Sequence, residues 1–145
     1  MSADPAIQFT DVTRRYGSAA AVDRISFSIN KGEMVTFLGP SGCGKTTSLR
    51  LIAGLELPTS GLVRIAGRDV SRRAASERNV GMVFQSYALF PHMTVLDNVA
   101  YGPIIRGESK AVARARAREI LGQIGLDGLD GRLPSELSGG QQQRV

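Results

Sequence analysis

The sequence holds one cysteine, Cys43, so no internal disulfide can form, which fits a reducing cytoplasm. It has no apolar run near the ~20 residues of a membrane-spanning helix. Its longest apolar stretches, such as "MVTFLG" and "VGMVF", are strand-sized. The beginning, "MSADPAIQF", has neither a basic head nor an apolar core, which argues against a secretory signal. There is no low-complexity tract, and 42% hydrophobic with 21% charged residues is ordinary for a globular protein. A chain of 145 residues suits one domain. At that size a chain buries about 70% of its unfolded surface. Aromatic residues are also missing where single-stranded nucleic acid would need them. The net charge is +5, carried by Arg68, Arg72, Arg73 and Arg78 and then by Arg106, Lys110, Arg114, Arg116 and Arg118. Neither group is interleaved with aromatics, so no stacking platform is present and a solvated basic face is expected. An anionic membrane surface or an acidic partner is the second reading of that charge.

What is present reads as alternating strands and helices. "AIQFTDV" and "ISFSI" alternate apolar and polar residues as half-buried strands do. "EMVTFLG" and "NVGMVFQ" are mainly apolar and predict strands buried on both faces. A helix is expected from Lys45 to Ala53, closed by Gly54 in a left-handed conformation. "PTSG" marks a turn and "LVRIAG" a short strand. "MTVLDNVAY" predicts a helix capped by Thr94. The clearest helix spans about Ser109 to Gly125, with Ala113, Ala117, Ile120, Leu121 and Ile124 on one side and Arg114 and Arg118 on the other. The sum is a mixed α/β fold.

"GPSGCGKT", Gly39 to Thr46, fits the phosphate-loop pattern G-x-x-x-x-G-K-[ST] at every fixed position. Its strand before and helix after supply the context the pattern needs. Gly39, Gly42 and Gly44 let backbone N–H groups turn inward, and the helix N-terminus adds partial positive charge. Lys45 places an ammonium on the outer phosphates, and the Thr46 hydroxyl can ligate Mg²⁺. Cys43 fills an unconstrained position of the pattern.

Three other features narrow the choice among phosphate-loop proteins. Tyr16 can pack or offer a flat platform to an adenine ring. Gln85 emerges at the end of the apolar stretch Val80–Phe84, where ligands of open α/β sheets gather. In "LSGGQ", Ser138 can cap a helix that begins near Gly140, making a second anion-binding helix terminus. One nucleotide has one set of phosphates, already cradled by the first loop. The second terminus therefore fits a nucleotide bound to another copy.

Taken in order, Tyr16, the phosphate loop, Gln85 and "LSGGQ" make the sequence resemble the ATP-binding subunit of ABC transporters, over about Ile7 to Val145. The loop is general, whereas "LSGGQQQRV" is specific to that family. "VGMVFQSYALFPHMTVLDNVAYG" is similar to the importer branch that serves polyamines, ferric iron, sugars, phosphonates or sulfate-like anions. The resemblance implies an ABC-type transport ATPase with ATP and Mg²⁺ as cofactors. It implies a P-loop NTPase fold of class α/β, incomplete here: an antiparallel β subdomain, part of the RecA-like core and the start of the helical subdomain. Tyr16 would stack on adenine. Gly39, Pro40, Ser41, Gly42, Cys43, Gly44, Lys45, Thr46 and Thr47 would hold the phosphates, with Mg²⁺ on Thr46 and Gln85. Lys45 and Gln85 would serve catalysis. Ser138, Gly139, Gly140 and Gln141 would close on ATP held by a second subunit, head to tail. Ser86 to Asp97, His92 among them, would receive a membrane permease, and an external solute-binding protein would be an indirect partner. The subunit would sit on the cytoplasmic face of the membrane, with no nucleic acid as partner.

One component of hydrolysis is not found. No acidic residue after the phosphate loop follows four apolar residues, as the Mg²⁺-holding aspartate of such enzymes should. The family places that strand, the catalytic glutamate, the D-loop and the switch histidine after "LSGGQ". The expectation is a fragment that binds ATP without hydrolysing it, with apolar surface left on "EMVTFL" and "NVGMVF". A nucleotide-gated clamp acting on DNA or ribosomes is the alternative. Ser138 follows Lys45 by 93 residues, which leaves no room for the long coiled coil that DNA clamps insert there.

Overall fold

The computed structural model describes residues 4–84 and 88–145. The chain divides into two compact units, Met1–Met82 and Val83–Val145.

The first unit is built on an antiparallel sheet. Strand β1 (Ile7–Tyr16) pairs with β2 (Ala19–Ile29) on one side and β3 (Ser60–Ile65) on the other, and β3 pairs with the short β4 (Arg68–Asp69). The alternation in "IQF" buries Phe9, which stacks on Phe27 at 4.6 Å. Beyond it the alternation breaks, because the β1–β2 register shifts between Phe9 and Val12 and again before Arg14. Asp11 (φ 47) and Arg24 (φ 45) take left-handed conformations there. Side chains repair the ladder: Ser26 Oγ accepts from Asp11 N at 2.8 Å, and Thr13 Oγ1 accepts from Arg24 N at 3.0 Å. Val12 and Thr13 are consequently both buried, because the bulge interrupts the in–out alternation of the strand.

Helix α1 (Lys45–Ala53) lies against this sheet and ends at Gly54, φ 78, as the sequence predicts. Its Leu51 and Ile52 join Phe9, Val12, Val22, Val63 and Val70 in one core.

The two expected buried strands are not formed. Residues 33–39 and 80–84 enter no ladder, and Met34 (97%), Leu38 (88%) and Val83 (97%) are exposed. A strand depends on neighbours distant in sequence, and among the described residues neither segment has one. The apolar surface this leaves is what the sequence predicts for a core without its remaining strands.

The second unit is helical: α2 (Val95–Ile105), α3 (Lys110–Gln123) and the single turn α4 (Gly139–Gln142). Thr94 and Ser109 cap α2 and α3 through their side-chain oxygens. Ala113, Ala117 and Leu121 of α3 pack with Val95, Leu96, Ala100, Leu126 and Leu137. Ile120, expected inside, is 43% exposed. On the outer side Arg114 pairs with Asp97 (2.7 Å), Arg116 with Glu108 (2.8 Å) and Arg118 with Asp130 (2.8 Å). Much of the second basic group is thus charge-balanced rather than simply solvated. Among the described residues no helix is long and apolar enough to cross a membrane.

Candidate nucleotide-binding site

The loop Gly39–Gly44 leads into α1, and its shape follows from its glycines. Gly39 (φ 151), Gly42 (φ 84) and Gly44 (φ 93) all adopt positive φ. Gly44 is tightest, because a Cβ there would lie 2.5 Å from Ala21 O and 3.1 Å from Val22 Cγ2 of β2. The missing side chain is what lets the loop rest on the sheet.

Gly44 is also the N-cap of α1 and has no side chain to cap it with. By contrast α2, α3 and α4 each begin on a hydroxyl that accepts from the first turn. The first-turn N–H groups of α1 therefore keep their capacity for an outside acceptor, next to the positive end of the helix dipole. Lys45 Nζ folds back over the loop and donates to Gly39 O and Pro40 O, both at 2.7 Å, with Cys43 Sγ at 3.5 Å. No carboxylate neutralises it among the described residues. The cleft beside it has a volume of about 410 Å³ and is lined by Ala21, Ser41, Gly42, Gly44, Lys45, Thr46 and Thr47. Free N–H groups, an unpaired ammonium and the three hydroxyls of Ser41, Thr46 and Thr47, with no acid, make a receptor for a multiply charged anion. The donor set also fits Mg²⁺ brought in with phosphates: the exposed Thr46 hydroxyl is a hard oxygen ligand, and the phosphates would supply further oxygens.

The other expected site residues stand as follows. Tyr16 ends β1, is 46% exposed, and carries the Arg14 guanidinium 4.6 Å over its ring. Arg14 is tied in turn to Glu56 at 2.7 Å. The residue that β2 contributes to the cleft is Ala21, which nothing in its own chemistry marks out in the sequence. Gln85 and Ser86 lie outside the described residues. Phe90 to Asp97 form a loop and the first turn of α2, with His92 exposed and Phe90 set against Tyr101 at 4.6 Å. Asn98, also missed in the sequence, holds that loop: its Oδ1 accepts from Phe90 N, and its Nδ2 donates to Phe90 O, Met93 O and Thr94 O.

Ser138–Gln141 belong to the second unit. Ser138 Oγ accepts from Gln141 N at 3.3 Å, and Gln141 Oε1 accepts from Ser138 N at 2.9 Å, a reciprocal cap. Gln142 Nε2 bonds Pro134 O and Leu137 O, which fixes the turn from behind. A Cβ at Gly140 would meet open space, so backbone there is accessible.

The family model "ABC transporter" matches residues 22–145. The chain belongs to the ABC transporter family. It is 58% identical over 139 residues to the "Fe(3+) ions import ATP-binding protein FbpC" of Brucella abortus, covering 96% of this chain and 39% of that relative. It is 59% identical over 132 residues to the "Sulfate/thiosulfate import ATP-binding protein CysA 2" of Chromobacterium violaceum, covering 91% and 36%. The chain thus spans well under half the length of these ABC relatives. Its fold matches the dimeric structure of MJ0796, a bacterial ABC transporter cassette, with a TM-score of 0.84 at 36% identity over 95% of this chain and 66% of that one. The same cassette in a post-hydrolysis state bound to ADP and Pi matches with a TM-score of 0.83 at 34% identity. The antiparallel sheet, the phosphate loop and the helical unit are accordingly those of an ABC cassette.

Proposed function

We propose that the chain is the ATP-receiving portion of an importer's ATPase subunit, made of residues 1–145 of a partial ATP-binding domain. The observation that carries this reading is the uncapped start of α1. Its N–H groups and the unpaired Lys45 ammonium converge on one cleft that contains no carboxylate. Gly39–Thr47 hold the triphosphate, Thr46 and Gln85 hold Mg²⁺, and Tyr16 meets the adenine from the β1–β2 hairpin. When bound, Mg²⁺ offsets charge on the outer phosphates. Ser138–Gln141 close on ATP carried by a second subunit, and Ser86–Asp97 face a membrane permease, so the subunit works at the cytoplasmic side of the membrane. An external solute-binding protein would deliver the cargo. The catalytic glutamate and the switch histidine are supplied by sequence other than residues 1–145. The relatives named for ferric iron and sulfate support an inorganic-ion cargo class without choosing between them.

Titration of residues 1–145 with a fluorescent ATP analogue tests this. Saturable binding that is weakened at least about tenfold by Lys45→Ala, with no measurable phosphate release, is the expected result. Turnover that Lys45→Ala abolishes would overturn the division between binding and hydrolysis. Affinity unchanged by Lys45→Ala would overturn the site itself.

A further inference from the structure

Arg78 stands in the first basic group of the sequence, where a solvated face is expected, yet it is only 4% exposed. Its guanidinium is spent on carbonyls. Nη1 donates to Leu51 O at 2.6 Å and Ile52 O at 3.3 Å, while Nε and Nη2 donate to Arg73 O at 3.0 and 2.9 Å. Leu51 and Ile52 are in the last turn of α1, where carbonyls lack helical partners and partial negative charge collects. No carboxylate pairs with Arg78 among the described residues, so its counter-charge is the helix end.

A second observation points the same way. Gly54 closes α1, and a Cβ there would lie 2.9 Å from both Cδ and Cζ of Arg78. The helix exit is therefore shaped to admit this side chain. Asn79 follows at φ 50, turning the chain immediately after the guanidinium is anchored. Gln85 comes seven residues after Arg78. The same nine-residue helix carries Lys45 and Thr46 at its entry and Arg78 at its exit.

We infer that Arg78 is a positioning residue that locks chain 73–79 to the exit of α1, so that the phosphate loop at the entry of that helix and the turn after Arg78 keep one geometry. The inference rests on reading Gly39–Thr47 as the nucleotide site. A bare helix cap needs only a cation at Leu51 O and Ile52 O. The planar fork does more, because it holds Arg73 O with its remaining two nitrogens, which an ammonium at the same point does not span.

The test uses the full-length subunit, with steady-state ATP turnover and amide exchange with and without ADP. In the unaltered protein ADP is expected to slow exchange in residues 73–84 as well as 39–47. In Arg78→Met it should slow only 39–47. ATP-analogue affinity should stay within about threefold while kcat falls about tenfold or more, since small misplacements near a reacting centre have effects of that order. Arg78→Lys should restore thermal stability without restoring kcat. Should Arg78→Met fail to fold, Gly54→Ala displaces the guanidinium without removing it and must show the same separation. Unaltered kcat and exchange in these variants overturns the inference, as does loss of nucleotide affinity in step with melting temperature. Protection of 39–47 without 73–84 in the unaltered protein sinks the inference alone. No protection at 39–47 sinks the reading of the loop and the inference with it.

Discussion

At the scale of single residues, two glycines of the phosphate loop are separated by what surrounds them. Gly42 and Gly44 share nearly the same φ, 84 and 93, yet a Cβ at Gly42 meets nothing within 4 Å and one at Gly44 meets Ala21 O at 2.5 Å. Gly42→Ala should cost backbone strain alone, about 1 kcal/mol. Gly44→Ala adds a clash with backbone that cannot give, so the loop must lift from β2. Expected are a loss of about 1–3 kcal/mol in stability and at least about tenfold in ATP-analogue affinity, read by thermal melts and titration of the two variants side by side. Asp69 gives a pH prediction. Its carboxylate accepts from Ser71 Oγ (2.6 Å) and Ser71 N (2.9 Å), and these bonds hold its pKa below the ordinary carboxylate value. A depressed carboxylate contributes stability above its unfolded pKa, about 4, and loses it as pH falls through the lower folded value. Asp69→Asn should therefore be less stable than the unaltered chain at neutral pH, with the difference closing in acid as pH falls through that lowered value. Urea melts at the two pH values check this, and a gap that widens in acid would refute it.

At the scale of elements, what sequence could read was what neighbours in sequence decide. The start of α1 at Lys45, its end at Gly54, and the caps Thr94 and Ser138 are all local hydrogen-bond problems with local solutions. The strands at 33–39 and 80–84 were not legible, because an apolar run states only that a strand would be buried and not whether partners exist. The inner half of β2 was hidden for another reason: the bulges at Asp11 and Arg24 break the period that announces a strand. Arg78 and Asn98 could not be found at all, since a polar residue in sequence does not declare which carbonyls it will meet. Asn98 has the sharper consequence for an element. Its amide makes four bonds to loop 90–94 at the head of α2, and that loop is the surface proposed to meet the permease. Asn98→Ala should leave α2 folded, because Thr94 still caps it, while freeing the loop. Exchange of the Phe90 and Met93 amides should rise about tenfold or more, with helicity by circular dichroism unchanged. A drop in helicity of the same variant would show that Asn98 holds the helix rather than the loop.

At the scale of the whole molecule, each unit has its own core, but the first also shows water a face that its sequence was written to bury. Met34 is 97% exposed and Leu38 88%, in the segment that runs directly into the phosphate loop. Burying one such side chain is worth about 1.5–3 kcal/mol, so leaving several exposed favours self-association. The chain spans 39% of a relative's length, and in a subunit of that full length the same surface should be interior. This gives a test in which one substitution acts with opposite sign in two settings. In residues 1–145, Met34→Lys removes an exposed apolar group and should lower dye binding to apolar surface and reduce sedimentation of aggregates. In the full-length subunit it places a charge where the core is closed, and should lower the melting temperature by several degrees or more. Improvement in both settings would mean that Met34 faces solvent in the intact subunit too. The strand expected from "EMVTFLG" would then be wrong for the whole protein, and not merely lacking neighbours in this part of it.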